Sequence, residues 1–276
     1  MKILPMRNLP PIRDGSPEVV QILDRIRFEL DNRDSKLPDE DHAEFTWFAR
    51  EYPRCYRYHL DCADFRLKTI WDLYSEIHSE MCRERRWGSE PNPAENGTLV
   101  QVAVGNKKVQ RVYWDFESFL SEINIALDLL ARIVGTAFID EMPVSFNRFC
   151  KKDGSQRLLA IFKEAQSRWV RQLKDYRDCF IHYTPVDTLL SLSFVLNGDA
   201  FELRGKLPIN PNVREMLGFK FSKRVELLKY ACTVHRHMNA LDRAVAADIA
   251  RAFDAGEYPK RLSNLFFVGR RERKEA

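Results

Sequence analysis

The run Tyr176-Arg177-Asp178-Cys179-Phe180-Ile181-His182-Tyr183 gathers three groups with complementary chemistry into one short stretch of chain. A guanidinium is a planar fork of donors suited to phosphate, an imidazole exchanges a proton near neutral pH, and a carboxylate beside them can orient either. An arginine that holds a phosphate and a histidine that moves a proton are the minimum for cleaving a phosphodiester through a 2′-hydroxyl. With successive residues about 100° apart on a helix, the apolar face is centred near Tyr176 and Phe180. Arg177 then falls at its margin, and Asp178 and His182 on the opposite side. His182 is therefore expected away from the core, four residues from Asp178 and able to pair with it, in a last turn where the helix dipole favours a cation. Helix capping and surface pairing, worth about 0.5 to 1 kcal/mol, account for the same residues without any catalysis.

Other candidate chemistry is weaker. The spacing of Arg177 and His182 recurs at Arg54 and His59, but there the histidine is expected to face the core and the arginine to open a helix. Cys55, His59 and Cys62 share a helical face, which reads as a packed core edge. His235 and His237, two apart, point about 200° away from each other and cannot chelate one ion. Neither HExxH nor GxSxG occurs. The chain of 276 residues holds only 11 glycines, none in a GxG pair and none before Lys-Ser or Lys-Thr. A backbone cradle for phosphate needs such glycines, so Rossmann and P-loop chemistry are excluded and any phosphate must be held by side chains. No metal and no cofactor is expected.

The elements that must position these residues are mainly helical. Ser16-Pro17-Glu18 opens a helix over about 16–32, and a short one follows over 39–51. Pro53 then opens a long helix to about Arg85, with Tyr56, His59, Ala63, Leu67, Ile70, Tyr74, Ile77 and Met81 as its stripe. Leu99–Val104 and Val109–Tyr113 read as a hairpin. Asp115 caps a central helix apolar on two faces, Phe116 to Phe138. Ser155 begins the helix that carries Arg177 and His182 and stops before Pro185. A second hairpin is expected over 189–195 and 200–207, and a last helix from Ser222 to about Phe253. The tail over 269–274 is charged and expected to fray.

The fold class this implies is all-α: one domain over 1–276, an up-and-down helical bundle with two small appended β-hairpins. Lys and Arg number 44 against 40 Asp and Glu, a net charge of +4, so a positive field strong enough for RNA has to be local. The six cysteines lack any CxxC pair and read as small buried hydrophobes of a reducing compartment. The longest apolar segment, 123–139, contains Asp128 and Arg132, so no membrane span is expected and the cytoplasm is the default location.

With Arg177, the polar Asp178, apolar Phe180 and Ile181, and His182 on a helix preceded by a long amphipathic one, the chain resembles the HEPN superfamily (higher eukaryote and prokaryote nucleotide-binding domains). The resemblance covers about 115–255 as a HEPN-like core, with about 1–98 as an N-terminal helical extension. It implies a metal-independent endoribonuclease, a toxin or defence effector, that works as a homodimer with two motifs facing one cleft. Arg177 would hold the scissile phosphate, His182 would act as acid or base, and Asp178 would orient one of them, leaving a cyclic 2′,3′-phosphate. The implied partners are an RNA substrate and an antitoxin or regulatory protein. The branch silenced by adenylylation carries a tyrosine two residues after the histidine; here Thr184 stands there, and Tyr183 comes one residue early. The alternative is a non-catalytic helical module that binds RNA or a protein, through basic groups at Arg83, Arg85, Arg86, Arg148, Lys151 and Lys152.

Overall fold

A computed structural model describes residues 15–32, 39–84, 92–94, 97–101, 107–138, 143, 145–183, 192–197, 200–209, 211 and 221–256. The fold class is the expected one, an all-α helical bundle with a small antiparallel sheet. Its helices are α1 (Glu18–Asn32), α2 (Asp39–Glu84), α3 (Lys107–Phe138), α4 (Phe146–Cys150), α5 (Arg157–Ala165), α6 (Arg171–Asp178) and α7 (Leu227–Asp254). Two π-helical turns, Gln166–Val170 and Cys179–Tyr183, follow α5 and α6 without a break in the helix.

The boundaries of α2 and α3 depart from expectation for physical reasons. The short helix and the long one merge into α2, which runs straight past Pro53. An interior proline costs a helix about 3 kcal/mol through its missing N–H and its ring. The buried stripe, however, continues across it as Phe48, Ala49, Tyr56, Leu60 and Ala63, and burial of that face outweighs the loss. Val109–Tyr113, expected as a strand, lies within the first two turns of α3. Val109, Val112, Tyr113 and Phe116 are spaced i, i+3, i+4 and i+7 and all are buried, a helical period that the strand reading passed over. Asp115 consequently lies inside α3, where it is buried and ion-paired to Arg66 at 2.8 Å and to Arg111 at 3.6 Å.

The strands form one antiparallel meander in the order β1 (Asn92–Ala94), β2 (Gly97–Gln101), β3 (Leu192–Asn197), β4 (Ala200–Pro208) and β5 (Phe221–Glu226). The hairpin of β3 and β4 is as expected, with Asn197 opposite Ala200 and two residues between them. Of the other expected hairpin, 97–101 is a strand but pairs with β1 and β3, Leu99 lying opposite Val195; 102–104 lies outside the described residues. Ser222 does not cap the last helix: 221–226 is a strand. The cap is the carboxylate of Glu226, which accepts from the backbone N–H of Leu228 at 3.0 Å and of Lys229 at 2.7 Å. It also accepts from the hydroxyl of Tyr74 at 2.7 Å and from the N–H of Gly205 at 3.2 Å. Burial raises the Glu226 carboxyl above its ordinary range, against the pull of these donors. Gly205 is required there, because a Cβ would fall 2.9 Å from that of Leu227.

By its contacts the chain divides into two compact units, one holding Cys62–Ser121 and Gln172–Arg236, the other Arg13–Asp61, Glu122–Arg171 and His237–Ala276. In the first, the core is built by Leu67, Ile70 and Tyr74 of α2, Val112, Phe116 and Leu120 of α3, Leu173 and Tyr176 of α6, and Leu227 and Ala231 of α7. In the second, Val19, Leu23 and Ile26 of α1 are buried, as are Phe146, Phe149 and Phe162, the Phe162 ring lying about 5 Å from each of the other two. Its α1 is anchored where the Glu18 N–H donates to Asp242 at 2.7 Å, a carboxylate that also accepts from the Tyr56 hydroxyl at 2.9 Å. The charged tail, 269–274, lies outside the described residues.

Candidate active site

The residues singled out for chemistry lie in the first unit, where α6 ends in the π turn Cys179–Tyr183. Buried rings set the rotation of this helix about its axis. Tyr176 donates its hydroxyl to the Pro208 carbonyl at 2.7 Å and meets the Tyr230 ring at 4.8 Å. Phe180 packs edge-on against Phe116 at 5.4 Å and lies 6.1 Å from Tyr113. With that face fixed, Arg177 is left part-buried at the margin, its side chain 29% exposed, and Asp178 is 46% exposed. His182 points to solvent beside Ile181, itself 41% exposed. All three therefore occupy the sides expected of them.

The π turn changes their mutual angle. On a regular α-helix, residues five apart diverge by about 140°. A turn closed i→i+5 rotates less per residue, which lessens that divergence. Nothing in the sequence spacing signalled this. π turns inside helices concentrate at functional sites because they persist only where packing enforces them.

Asp178 takes a different partner from the one expected. Its carboxylate binds the Arg177 Nη2 at 3.1 Å, so it orients the guanidinium and is not the fourth-neighbour partner of the imidazole. The Arg177 Nε is buried and has no hydrogen-bond acceptor. A buried donor without an acceptor costs about 1–3 kcal/mol, which an oxyanion brought to the guanidinium would recover. The arrangement offers an anchored cation with an unused donor, an aligning carboxylate and an exposed imidazole five residues on in the same helix.

The second Arg–His match is built differently. His59 sits at the core's edge, 23% exposed, and is not turned fully into the core; its Nδ1 is bound to the Glu122 carboxylate at 2.6 Å. Arg54 is 76% exposed and only 3.9 Å from Glu51. His235 is buried against Asp64 at 2.8 Å, whereas His237 is exposed and stacked on Trp169 at 5.7 Å, so the two do diverge. Of the described cysteines only Cys179 is buried; Cys55 is exposed and Cys62, Cys150 and Cys232 are intermediate, against the expectation of buried thiols. Among the described residues no group of three or more His, Cys, Asp or Glu is placed to hold a metal ion. Arg83, Arg148 and Lys151 are exposed and Lys152 is intermediate, while Arg85, Arg86 and Thr184 lie outside the described residues. Among the described residues no helix is long and apolar enough to cross a membrane. Compared with known proteins, the chain matches no family model, no curated protein and no solved structure.

Proposed function

We propose that the protein is a metal-independent endoribonuclease of HEPN type that cleaves RNA through its 2′-hydroxyl. The observation that carries this reading is Arg177, its Nη2 held by Asp178 and its Nε buried without an acceptor, two residues before the π turn that carries the exposed His182. Arg177 binds the scissile phosphate and stabilises the charge that grows on its oxygens, and Asp178 fixes the plane of the guanidinium. His182 takes the proton from the 2′-hydroxyl as that oxygen attacks phosphorus. The products are a cyclic 2′,3′-phosphate and a 5′-hydroxyl.

The working form is a homodimer. Ile181, Ile209 and Phe221 are exposed at 41%, 55% and 37%. Pro208, which precedes Ile209 and pairs with Phe221, is the residue whose carbonyl accepts from Tyr176. An isologous contact through this apolar surface brings a second Arg177 and His182 to the same cleft and supplies the local positive field that a net charge of +4 cannot supply over the whole surface. A toxin or defence role, with an antitoxin or regulatory protein covering that cleft, follows from an enzyme of this kind and belongs to the same proposal.

The test is cleavage of RNA by the purified protein in EDTA, with product ends identified by mass. Cyclic phosphate ends that disappear in a folded His182→Ala variant support the reading. Cleavage that needs added metal, or that survives this substitution, removes it; RNA binding without cleavage, indifferent to His182→Ala, favours a non-catalytic module.

A further inference from the structure

In the first unit, α2 and α3 leave two large aromatic side chains in solvent, Phe65 at 62% and Trp114 at 52% exposure. Two ion pairs fix how these helices run past each other. Arg66 Nη1 meets Asp115 Oδ1 at 2.8 Å, and further along α2 Glu76 meets Lys108, which comes earlier in α3, at 2.9 Å. The helices are therefore antiparallel and side by side, with Arg66 level with Asp115. Ala63, Leu67 and Ile70 of α2 and Val112, Phe116 and Phe119 of α3 are buried. At about 100° per residue, Phe65 and Trp114 each lie on the side of their own helix opposite its buried row. Both rings thus stand on the outward face, one on either side of the seam that Arg66 and Asp115 mark. Phe65 leans toward that seam, since the Arg66 Cζ lies over its ring, 5.8 Å from the centroid and within cation–π range. From one turn earlier in α3, Arg111 brings its Nε to 3.6 Å from the same carboxylate. Two guanidinium side chains, 40% and 62% exposed, share one carboxylate that is 5% exposed, so the seam between the rings carries one positive charge in excess.

We propose that Phe65, Arg66, Arg111 and Trp114 form a binding site for single-stranded RNA, in which unpaired bases stack on the two rings and the backbone phosphate meets the two arginines. The inference rests on the ribonuclease reading above for its ligand, RNA; it adds that the strand is unpaired and is held at a second place. Aromatic faces stack a base whatever its identity, and arginine beside them tracks the backbone. A duplex offers neither ring a free base face. A protein partner would have to bury the surplus charge at the centre of its contact, where interfaces are depleted of charged groups; a sugar–phosphate backbone brings the matching anion with it. The same turns of α3 carry Tyr113 and Phe116, on which Phe180 of the π turn packs. The stacking site and the candidate active site are thus mounted on different sides of one helix, about 10–12 Å across with its side chains.

The test is fluorescence anisotropy of a labelled 2′-O-methyl oligouridylate, which lacks the hydroxyl needed for cleavage, with the full chain in EDTA, beside the duplex of that strand with oligoadenylate. The single strand is expected to bind about tenfold or more tightly than the duplex. Trp114→Ala and Phe65→Ala are each expected to weaken its binding about tenfold, Trp114→Phe to recover most of the loss, and Arg111→Gln to weaken binding and flatten its dependence on salt. Both rings are more than half exposed, so the fold is expected to survive, with an unchanged melting temperature as the check. Affinity unchanged in folded Trp114→Ala and Phe65→Ala, equal affinity for the duplex, or no binding of the single strand overturns the site, while cleavage of RNA by the wild type in EDTA still upholds the ribonuclease reading. Affinity lost in both variants, with no cleavage by the wild type, supports the site and removes the ribonuclease reading. A dimer that Trp114→Ala splits in sedimentation, with RNA affinity untouched, overturns the site in favour of a contact between copies of the chain.

Discussion

Arg54 with His59 and Arg177 with His182 carry the same spacing on two helices of one chain, and the structure gives them opposite surroundings. On α2 the imidazole is held by Glu122 through its Nδ1, and the arginine is out in water with a distant acid. At the end of α6 the arginine is the part-buried, aligned member and the histidine is the exposed one. The regular helix of α2 keeps residues five apart on different sides, whereas the π turn after α6 reduces their divergence. A site for phosphate needs its cation fixed and its proton carrier reachable. Only the second arrangement has that order; the first has the polarity of a structural pair.

The largest effect that separates them is on catalysis. His182→Ala is expected to lower RNA cleavage about 10³-fold with an unchanged melting temperature, and His59→Ala to leave kcat within about twofold. A reversed result, with activity following His59, would move the active site to the other match. Next in size is Arg177→Lys, which keeps the charge but loses the planar fork that Asp178 aligns. Its kcat/KM is expected to fall about tenfold or more, and a fully active lysine variant would show that a point charge suffices. A smaller effect distinguishes the α2 pair by stability. Glu122→Ala leaves His59 Nδ1 without its carboxylate, and because both side chains are about a quarter exposed, water replaces part of the loss. The expected cost in a denaturant titration is about 1 kcal/mol, with cleavage per folded molecule unchanged.

How far the sequence reached is visible in the same residues. The amphipathic face of α6 is written in Leu173, Tyr176 and Phe180, so the sides taken by Arg177, Asp178 and His182 could be read from a 100° rotation. The π turn could not, because no local spacing signals it; within it Phe180 packs on Phe116 and Tyr113 of α3, residues about 65 positions earlier in the chain. The partner of Asp178 was missed for a related reason: an i, i+4 rule supplies His182, yet the adjacent, part-buried guanidinium competes for the carboxylate and wins. Among the elements, Val109–Tyr113 suggested a strand by its β-branched and aromatic residues, whereas its apolar spacing is helical and continues into Phe116 and Leu120. The strand at 221–226 was hidden because its last residue, Glu226, supplies the helix cap that Ser222 seemed to offer.

The smallest expected effect is the most economical check on the comparison. Arg54 has its side chain in solvent and its nearest acid at the limit of an ion pair, so screening by water and salt leaves it little energy. Arg54→Ala is expected to change unfolding free energy by less than about 0.5 kcal/mol and to leave RNA cleavage as it is. Arg177→Ala removes a part-buried side chain whose Nε is buried, and takes from Asp178 the guanidinium it is paired with. If both substitutions were silent, exposure would not be what distinguishes the two matches; if only Arg54 were silent, burial of the guanidinium marks the working copy.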